Sequence, residues 1–203
     1  AVLLALYAVR PQSVLFSRVF DGRITRQGWM VIALVAVQCV VIFVLVMSNT
    51  HFLSITHTAS TENQFQYQKL AQALLQGHFY LDDVPSAALQ AMDNPYDTAA
   101  RESAGVSYLW DHAYYQGKYY VYFGVLPCLV FYVPWLLLTG GGFPTWLGVA
   151  ICDCAYVAGI AYLLTRISRR WFPRTSIGVL LVLDIMMFVA GGGLILARTP
   201  SMY

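Results

Sequence analysis

The sequence predicts an all-α polytopic membrane protein with about three transmembrane helices, interfacial helices and one long extracytoplasmic loop. Only 11% of the 203 residues are charged and 59% are hydrophobic, whereas soluble domains carry about 25% charged residues. Several apolar runs reach about 20 residues, enough to cross a hydrocarbon core of about 30 Å. By contrast, seven of the ten acidic residues lie in one polar segment, residues 49–119.

Arginines flank the apolar runs and set the predicted orientation. They form two clusters, which are Arg10, Arg18, Arg23 and Arg26, and then Arg166, Arg169, Arg170 and Arg174. Short basic clusters beside spans mark the cytoplasmic side of a membrane. We prefer this explanation to nucleic-acid binding and predict no nucleic-acid partner. The chain is therefore expected in the plasma membrane as a multi-pass protein, with the polar segment outside.

The first half of the chain contains one predicted transmembrane helix, with a polar segment on either side. Residues 1–28 form the expected cytoplasmic segment, and their first nine residues are too short to span and resemble the end of an upstream helix. Residues 29–48 are the first transmembrane helix, with Trp29 as an interfacial anchor. Residues 49–118 then form the extracytoplasmic loop.

One amphipathic helix, residues 61–76, is predicted within this loop. Thr61 is a suitable N-cap residue, Gln64 completes a capping box, and Gly77 supplies the stop. An apolar stripe then repeats at helical spacing, which is typical of a helix lying along the membrane surface; its members are Tyr67, Leu70, Ala71, Leu74 and Leu75.

The second half holds three more apolar runs, residues 119–138, 143–165 and 175–197. If all three crossed the membrane, the second arginine cluster would face the acidic loop, against the positive-inside rule. We predict that the proline- and aromatic-rich segment 119–140 is an interfacial or re-entrant helix, although proline also occurs in true spans. Residues 143–165 and 175–197 are then transmembrane helices, with a cytoplasmic basic turn at 166–174 and an extracytoplasmic end at 198–203.

Several motifs occur in a recognisable order. The loop opens on an acidic residue and continues with Q-Y-x-x-L-A-x-x-L-x-x-G; next come G-K-Y-Y-V-Y-F-G, an aromatic helix ending L-L-T-G, and a span ending A-R-T-P. This set resembles the N-terminal part of the GT-C superfamily of polyprenyl-phosphate-dependent glycosyltransferases, which includes bacterial protein mannosyltransferases and lipid A aminoarabinose transferases. Members usually have more spans, so the chain resembles an N-terminal fragment.

The resemblance implies an enzyme that moves a sugar from a polyprenyl phosphate to a cell-envelope glycan, lipid or protein. Glu62 matches the first acidic position of the family's loop, where it would act as general base; the alternative is helix-dipole stabilisation without a function. Lys118 matches the lysine that reaches the lipid phosphate, although lysine also snorkels to headgroups. Arg198 is a second candidate for holding the phosphate, because guanidinium binds phosphate oxygens in a fork.

Other polar residues compete for roles. Asp111 is the rival catalytic carboxylate, beside His112, which could carry a proton. Asp82 and Asp83 could bind a divalent cation, Mg²⁺ or Mn²⁺, although adjacent loop acids are more often solvated. The tyrosine-rich run 114–122 could stack on sugar rings or form an interfacial aromatic belt.

Two acids within spans support a different class of function. Asp153 and Asp184 lie in apolar runs, where ionisable groups are costly and usually functional or paired. They support the alternative of a non-catalytic transporter or envelope-assembly subunit. The four cysteines also lie in apolar runs, where we expect small buried side chains rather than disulfides or metal ligands.

Overall fold

A computed structural model describes residues 2–20, 26–48 and 65–198 and is mostly helical, as predicted. The chain separates into two compact units. The helical unit comprises residues 1–54 and 145–202, and the loop unit comprises residues 55–144. In chain order the elements are α1 (Val2–Val9), α2 (Val14–Ser17), α3 (Arg26–Ser48), α4 (Gln66–Leu75), β1 (Tyr80–Leu81), α5 (Ala87–Gln90), α6 (Thr98–Ser103), β2 (Ala113–Tyr115), β3 (Lys118–Tyr120), a π-helical turn (Cys128–Tyr132), α7 (Val133–Thr139), α8 (Thr145–Trp171), α9 (Ile177–Ala190) and α10 (Gly193–Arg198).

Two helices, α3 and α8, are long and apolar enough to cross a membrane by length and composition. They contain the predicted spans 29–48 and 143–165 almost entirely. However, α8 continues to Trp171, so the segment 166–174 is not simply a turn. Arginine is a good helix former and is favoured near the negative end of the helix dipole, which explains the extension.

Large apolar side chains cover the outside of both long helices. Trp29 of α3 is 62% exposed and Leu163 of α8 is 56% exposed, while Gln38, Asp153 and Asp184 are buried. Soluble domains rarely expose apolar surface of this extent. The helical unit therefore has an apolar outside and several buried polar side chains, as expected of a bundle that faces lipid.

The long helices of this unit form an antiparallel bundle. The end of α3 meets the start of α8, where the rings of Phe43 and Trp146 lie 6.3 Å apart. At the other end, Val31 of α3 shares an apolar cluster with Ala161 of α8 and Ile177 of α9. Because Ile177 begins α9, this helix runs parallel to α3 and antiparallel to α8.

A short antiparallel β-bridge joins Val19 to Ser176. The Phe20 amide donates to the Thr175 carbonyl, and the Ile177 amide donates to the Arg18 carbonyl, each over 3.0 Å. The segment before α3 is thereby tied to the segment between α8 and α9. The described arginines of the first cluster, Arg10, Arg18 and Arg26, consequently lie at the same end of the helical unit as the second cluster, and we call this end the basic end.

The predicted continuous helix 175–197 is wrong. The helix breaks between α9 and α10 at a run of three glycines, and Gly192 adopts a positive φ of 88°. A Cβ at Gly191 would overlap the hydroxyl of Tyr156, which donates to the Met187 carbonyl over 3.2 Å. The 14 residues of α9 extend only about 21 Å at about 1.5 Å per residue, less than a bilayer core.

In the loop unit, the predicted helix 61–76 is observed as α4, with Phe65 at its N-cap position. Thr61, Glu62 and Gln64 lie outside the described residues. The stop at Gly77 is confirmed: the Gly77 amide donates to Leu74 and the His78 amide to Ala73, as in a Schellman motif.

Most of the apolar stripe of α4 is buried within the loop unit. Tyr67, Leu70 and Ala71 are buried, and the Tyr67 ring lies 5.6 Å from the ring of Tyr132 in the π-helical turn. The thiol of Cys128 also donates to the Tyr67 carbonyl. These three residues are therefore buried against a second apolar segment, whereas Leu75 of the stripe is 47% exposed. The placement of this helix along the membrane surface stays a prediction.

The sequence also predicts a tight hairpin around Gln116–Gly117, because glycine supplies the positive φ that such turns need, and the structure confirms it. Strands β2 and β3 pair with Tyr114 opposite Tyr119, and the two turn residues have φ values of 47° and 75°. Positive φ at both central residues is the geometry of a type I′ turn, which matches the twist of the strands. The two-residue strand β1 pairs with the other side of β3 and was not predicted.

The segment 119–140 is not one continuous helix. Its first two residues belong to β3, and the apolar helix covers only Cys128–Thr139. Twelve residues extend about 18 Å, too short for a bilayer core of about 30 Å. Pro134 lacks a donor N–H, the helix widens into the π-helical turn just before it, and Gly140 ends the helix with φ 69°.

All four cysteines are free, as expected. Cys128 is buried in the loop unit, whereas Cys152 is exposed on α8. The expectation of burial is therefore wrong for Cys152, which shares its face of the helix with the exposed Ile151.

Replacing Gly178 with alanine should destabilise the helical unit. A Cβ there would overlap the backbone carbonyl of Ala8, so α1 and α9 would have to separate. This separation should lower the free energy of unfolding by about 1–3 kcal/mol. The matched control is Gly159→Ala in α8, where a Cβ meets nothing within 4 Å and a gain of about 0.5–1 kcal/mol is expected. Thermal unfolding in nanodiscs compares the two variants, and equal melting temperatures would contradict the close α1–α9 contact.

Candidate functional site

Of the predicted site residues, the loop unit contains Lys118, Asp111, Asp82 and Asp83 among those the structure describes. Glu62 lies outside the described residues, so its assignment as general base stays a prediction. Arg198 ends α10 in the helical unit and is exposed. Its phosphate-binding role also stays a prediction.

Lys118 is held against an aromatic ring at the start of β3. Its ammonium nitrogen lies 3.2 Å from the ring centroid of Tyr80 in β1. The same tyrosine stacks on His78, with centroids 4.0 Å apart and an interplanar angle of 9°. A cation over an aromatic face is attracted to the ring quadrupole, so the ammonium is oriented rather than freely mobile.

No carboxylate neutralises Lys118 in the described part of the chain. The two acids nearest in sequence to Tyr80 already have other partners. Asp83 pairs with Lys69 over 2.6 Å, and Asp82 lies 3.5 Å from Nε2 of His78. Lys118 therefore offers an oriented positive charge to an external anion.

The same contacts weaken the predicted metal site. Asp83 pairs with Lys69, Asp82 lies beside the His78 ring, and no group of three or more His, Cys, Asp or Glu ligands is found among the described residues. Divalent cations such as Mg²⁺ take about six oxygen ligands in proteins. The assignment of Asp82 and Asp83 as ligands of such an ion stays a prediction, and we assign no chemical step to one.

Asp111 occupies an unusual backbone position before β2. Its φ is 57°, in the left-handed region that aspartate and asparagine tolerate better than most residues. Its carboxylate accepts a hydrogen bond of 2.9 Å from the Tyr122 hydroxyl. The hydrogen bond to this carboxylate raises the pKa of the Tyr122 phenol above its ordinary value.

His112 is buried beside this carboxylate with one ring nitrogen unsatisfied. Its Nδ1 lies 2.7 Å from the Trp110 carbonyl, which can only accept, so Nδ1 carries the proton. Nε2 has no hydrogen-bond partner among the described residues. In the neutral imidazole Nε2 therefore carries the lone pair, which suits His112 to accept a proton or bind a donor group.

The tyrosine-rich run 114–122 does not act as one surface. Tyr119 is 3% exposed, and burial raises the pKa of its phenol, whereas Tyr115 and Tyr122 are 61% and 58% exposed. Only the exposed members could stack on a sugar ring. Alternation along the strands explains the difference between Tyr115 and Tyr119, because successive strand side chains point to opposite faces and Tyr119 is paired with Tyr114. Tyr122 lies beyond the end of β3.

Sequence reasoning missed the residues that hold this arrangement together. Tyr80 was not singled out, because a two-residue strand gives no periodic signal. Tyr96 was also missed; its hydroxyl accepts from the Tyr114 amide over 2.8 Å and donates to the Tyr114 carbonyl. The signal available was the Asn94-Pro95-Tyr96-Asp97 turn, which positions this ring.

The helical unit contains its own polar group. Asp153 and Asp184 are 2% and 1% exposed, and their carboxylate oxygens have no well-aligned hydrogen-bond partner among the described residues. The Gln38 side chain faces Asp184. A Cβ on Gly193 would lie 3.2 Å from an oxygen of Asp153, so the glycine break lies directly against this acid.

Replacing Asp111 with asparagine should lower the pKa of Tyr122 toward its ordinary value. The charged acceptor favours the neutral phenol, and asparagine removes that charge while tolerating the same backbone conformation. NMR titration with tyrosine labelled at Cζ measures the shift. Asp93→Asn is the control, with no contact to Tyr122 given by the structure, and an identical Tyr122 titration in Asp111→Asn would contradict the hydrogen bond.

Comparison with protein-family models, curated proteins and solved structures gave no match to this chain. The resemblance to GT-C glycosyltransferases is therefore supported only by the motifs quoted above. Functional assignment depends on the residues and geometry of this chain itself.

Proposed function

We propose that the chain belongs to a multi-pass membrane glycosyltransferase of GT-C type, which transfers a sugar from a polyprenyl phosphate to an extracytoplasmic acceptor. The observation that carries this proposal is the ammonium of Lys118, oriented by Tyr80 and without a carboxylate partner among the described residues. It lies on the strand just before the apolar segment Cys128–Thr139. A cation that precedes a short apolar helix along the chain suits a ligand with a phosphate head and a lipid tail.

In the proposed reaction, a hydroxyl of the acceptor attacks the anomeric carbon of the sugar. The bond from that carbon to the phosphate oxygen breaks, and the polyprenyl phosphate leaves with the electron pair. The acceptor proton passes to a carboxylate, either Glu62 or its rival Asp111. Lys118 stabilises the negative charge that develops on the leaving phosphate.

The proposed membrane placement follows from the helical unit. The basic end lies in the cytoplasm, α3 and α8 cross the bilayer in opposite directions, and α9 and α10 together return toward the outer side. The loop unit follows α3 along the chain and so lies on the extracytoplasmic side of the plasma membrane. The acceptor, a cell-envelope glycan, lipid or protein, would meet the donor there.

Replacing Lys118 with glutamine should lower sugar transfer about 10- to 100-fold, because one charged contact to the phosphate is lost. The matched control is Lys69→Gln, the other lysine of the chain, whose charge is already paired with Asp83. Transfer from labelled polyprenyl-phosphate sugar is measured in membranes from cells that express the protein. Equal losses in the two variants would contradict the specific role of Lys118.

The same assay identifies the base. Glu62→Gln should reduce transfer about 10²- to 10⁴-fold, the usual contribution of a general base. If Glu62→Gln retains activity and Asp111→Asn does not, the base is Asp111.

A second candidate function is a transporter or envelope-assembly subunit, which the buried Asp153, Asp184 and Gln38 support. Acids within a bundle, together with a helix broken at glycines, are typical of transporter substrate sites. Asp184→Asn would then abolish function while Lys118→Gln would leave it intact, which is the reverse of the result expected for the transferase.

A further inference from the structure

The end of α8 forms an open cleft of about 460 Å³ at the basic end of the helical unit. Three of its lining residues are the arginines Arg166, Arg169 and Arg170, and Ile167 and Trp171 complete the lining. The arginines are spaced three and four residues apart, so their side chains share one face of the helix.

These arginines are not neutralised within the described part of the chain, where no ion pair joins them to a carboxylate. Two of these arginines lie near aromatic rings at distances that allow only a weak cation–π attraction. Arg166 lies 5.9 Å from the Tyr162 ring centroid, and Arg170 lies 5.8 Å from that of Trp171. The fold therefore concentrates positive charge in the cleft without using it for packing.

The apolar part of the lining faces outward. Trp171 is 71% exposed and its neighbour Phe172 is 63% exposed, at the point where α8 ends. Tryptophan at the end of an apolar helix typically lies at the level of lipid headgroups. Trp29, near the start of the antiparallel helix α3, is 62% exposed at the same end of the unit.

If these residues served only to orient the helices in the membrane, lysine would do as well as arginine, because the positive-inside rule counts the two alike. All basic residues of both clusters are arginine, and both lysines of the chain lie in the loop unit. Guanidinium groups present a planar fork that binds phosphate oxygens in pairs, whereas ammonium acts as a point charge. This chemistry fits a phosphate group rather than a diffuse anionic surface.

We propose that the cleft lined by Arg166, Arg169, Arg170 and Trp171 binds the phosphate headgroup of an anionic phospholipid from the cytoplasmic leaflet. The arginines hold the phosphate oxygens, and Ile167 and Trp171 contact the start of the acyl chains. The proposal depends on the membrane placement of the helical unit and not on the transferase activity of the loop unit. It assigns a use to these arginines beyond the orientation of the helix.

The test uses the 203-residue chain in nanodiscs of phosphatidylcholine that contain a minor fraction of phosphatidylglycerol. Native mass spectrometry measures which lipid stays bound after release from the nanodisc. The wild type should retain phosphatidylglycerol selectively. Replacing Arg166, Arg169 and Arg170 with glutamine should weaken that retention about 10-fold or more, and replacing them with lysine should give an intermediate loss.

The matched control replaces Arg10, Arg18 and Arg174 with glutamine, which removes the same charge from the same end but not from the cleft. Its retention of phosphatidylglycerol should equal that of the wild type. An equal loss in both triple variants would overturn the proposal in favour of diffuse electrostatic attraction. Thermal unfolding of each variant separates loss of the site from loss of the fold.

A second arm distinguishes the lipid from free phosphate. Inorganic phosphate added during release should not displace phosphatidylglycerol, because it lacks the acyl chains that contact Trp171. Complete displacement would overturn the lipid assignment. Sugar transfer should continue in the glutamine triple variant, so this test and the transfer assay can fail independently.

Discussion

The β-bridge between Val19 and Ser176 is the contact on which the organisation of the helical unit depends. It ties the chain before α3 to the chain between α8 and α9, with main-chain hydrogen bonds on both sides of the bridge. A charged side chain in hydrocarbon is costly, so in the proposed membrane placement the arginines beside these segments share one side of the membrane. The direction of each helix then follows from its contacts with its neighbours.

The loop unit contains both an apolar helix and a small sheet that holds polar side chains in fixed positions. The type I′ turn places β3 between β1 and β2, and the pairing of Tyr80 with Tyr120 brings the Tyr80 ring to the Lys118 ammonium. The nearby acids have other neighbours, since Asp83 pairs with Lys69 and Asp82 lies 3.5 Å from the His78 ring. Lys118 is thereby oriented and has no carboxylate partner among the described residues, which is the feature on which the proposed phosphate binding depends.

The sequence predicted those features that depend on the backbone conformation of one or two residues. Gly77 ends α4 and Gln116–Gly117 form the hairpin turn, because each needs a backbone conformation that few residues adopt. Contacts between distant segments were not predictable in the same way. Hydropathy averages hid the glycine break near residue 192, and nothing local indicated that Tyr67 packs on Tyr132 or that Tyr80 meets Lys118.

The central claim is that both basic clusters lie in the cytoplasm while the loop unit lies outside. Single cysteines introduced by Ser103→Cys and Arg174→Cys, in a background with the four native cysteines replaced by alanine, test it directly with a membrane-impermeant maleimide on intact cells. Both positions are exposed. The account predicts that Ser103→Cys is labelled from outside and Arg174→Cys only after the membrane is permeabilised. Labelling of Arg174→Cys on intact cells would contradict it.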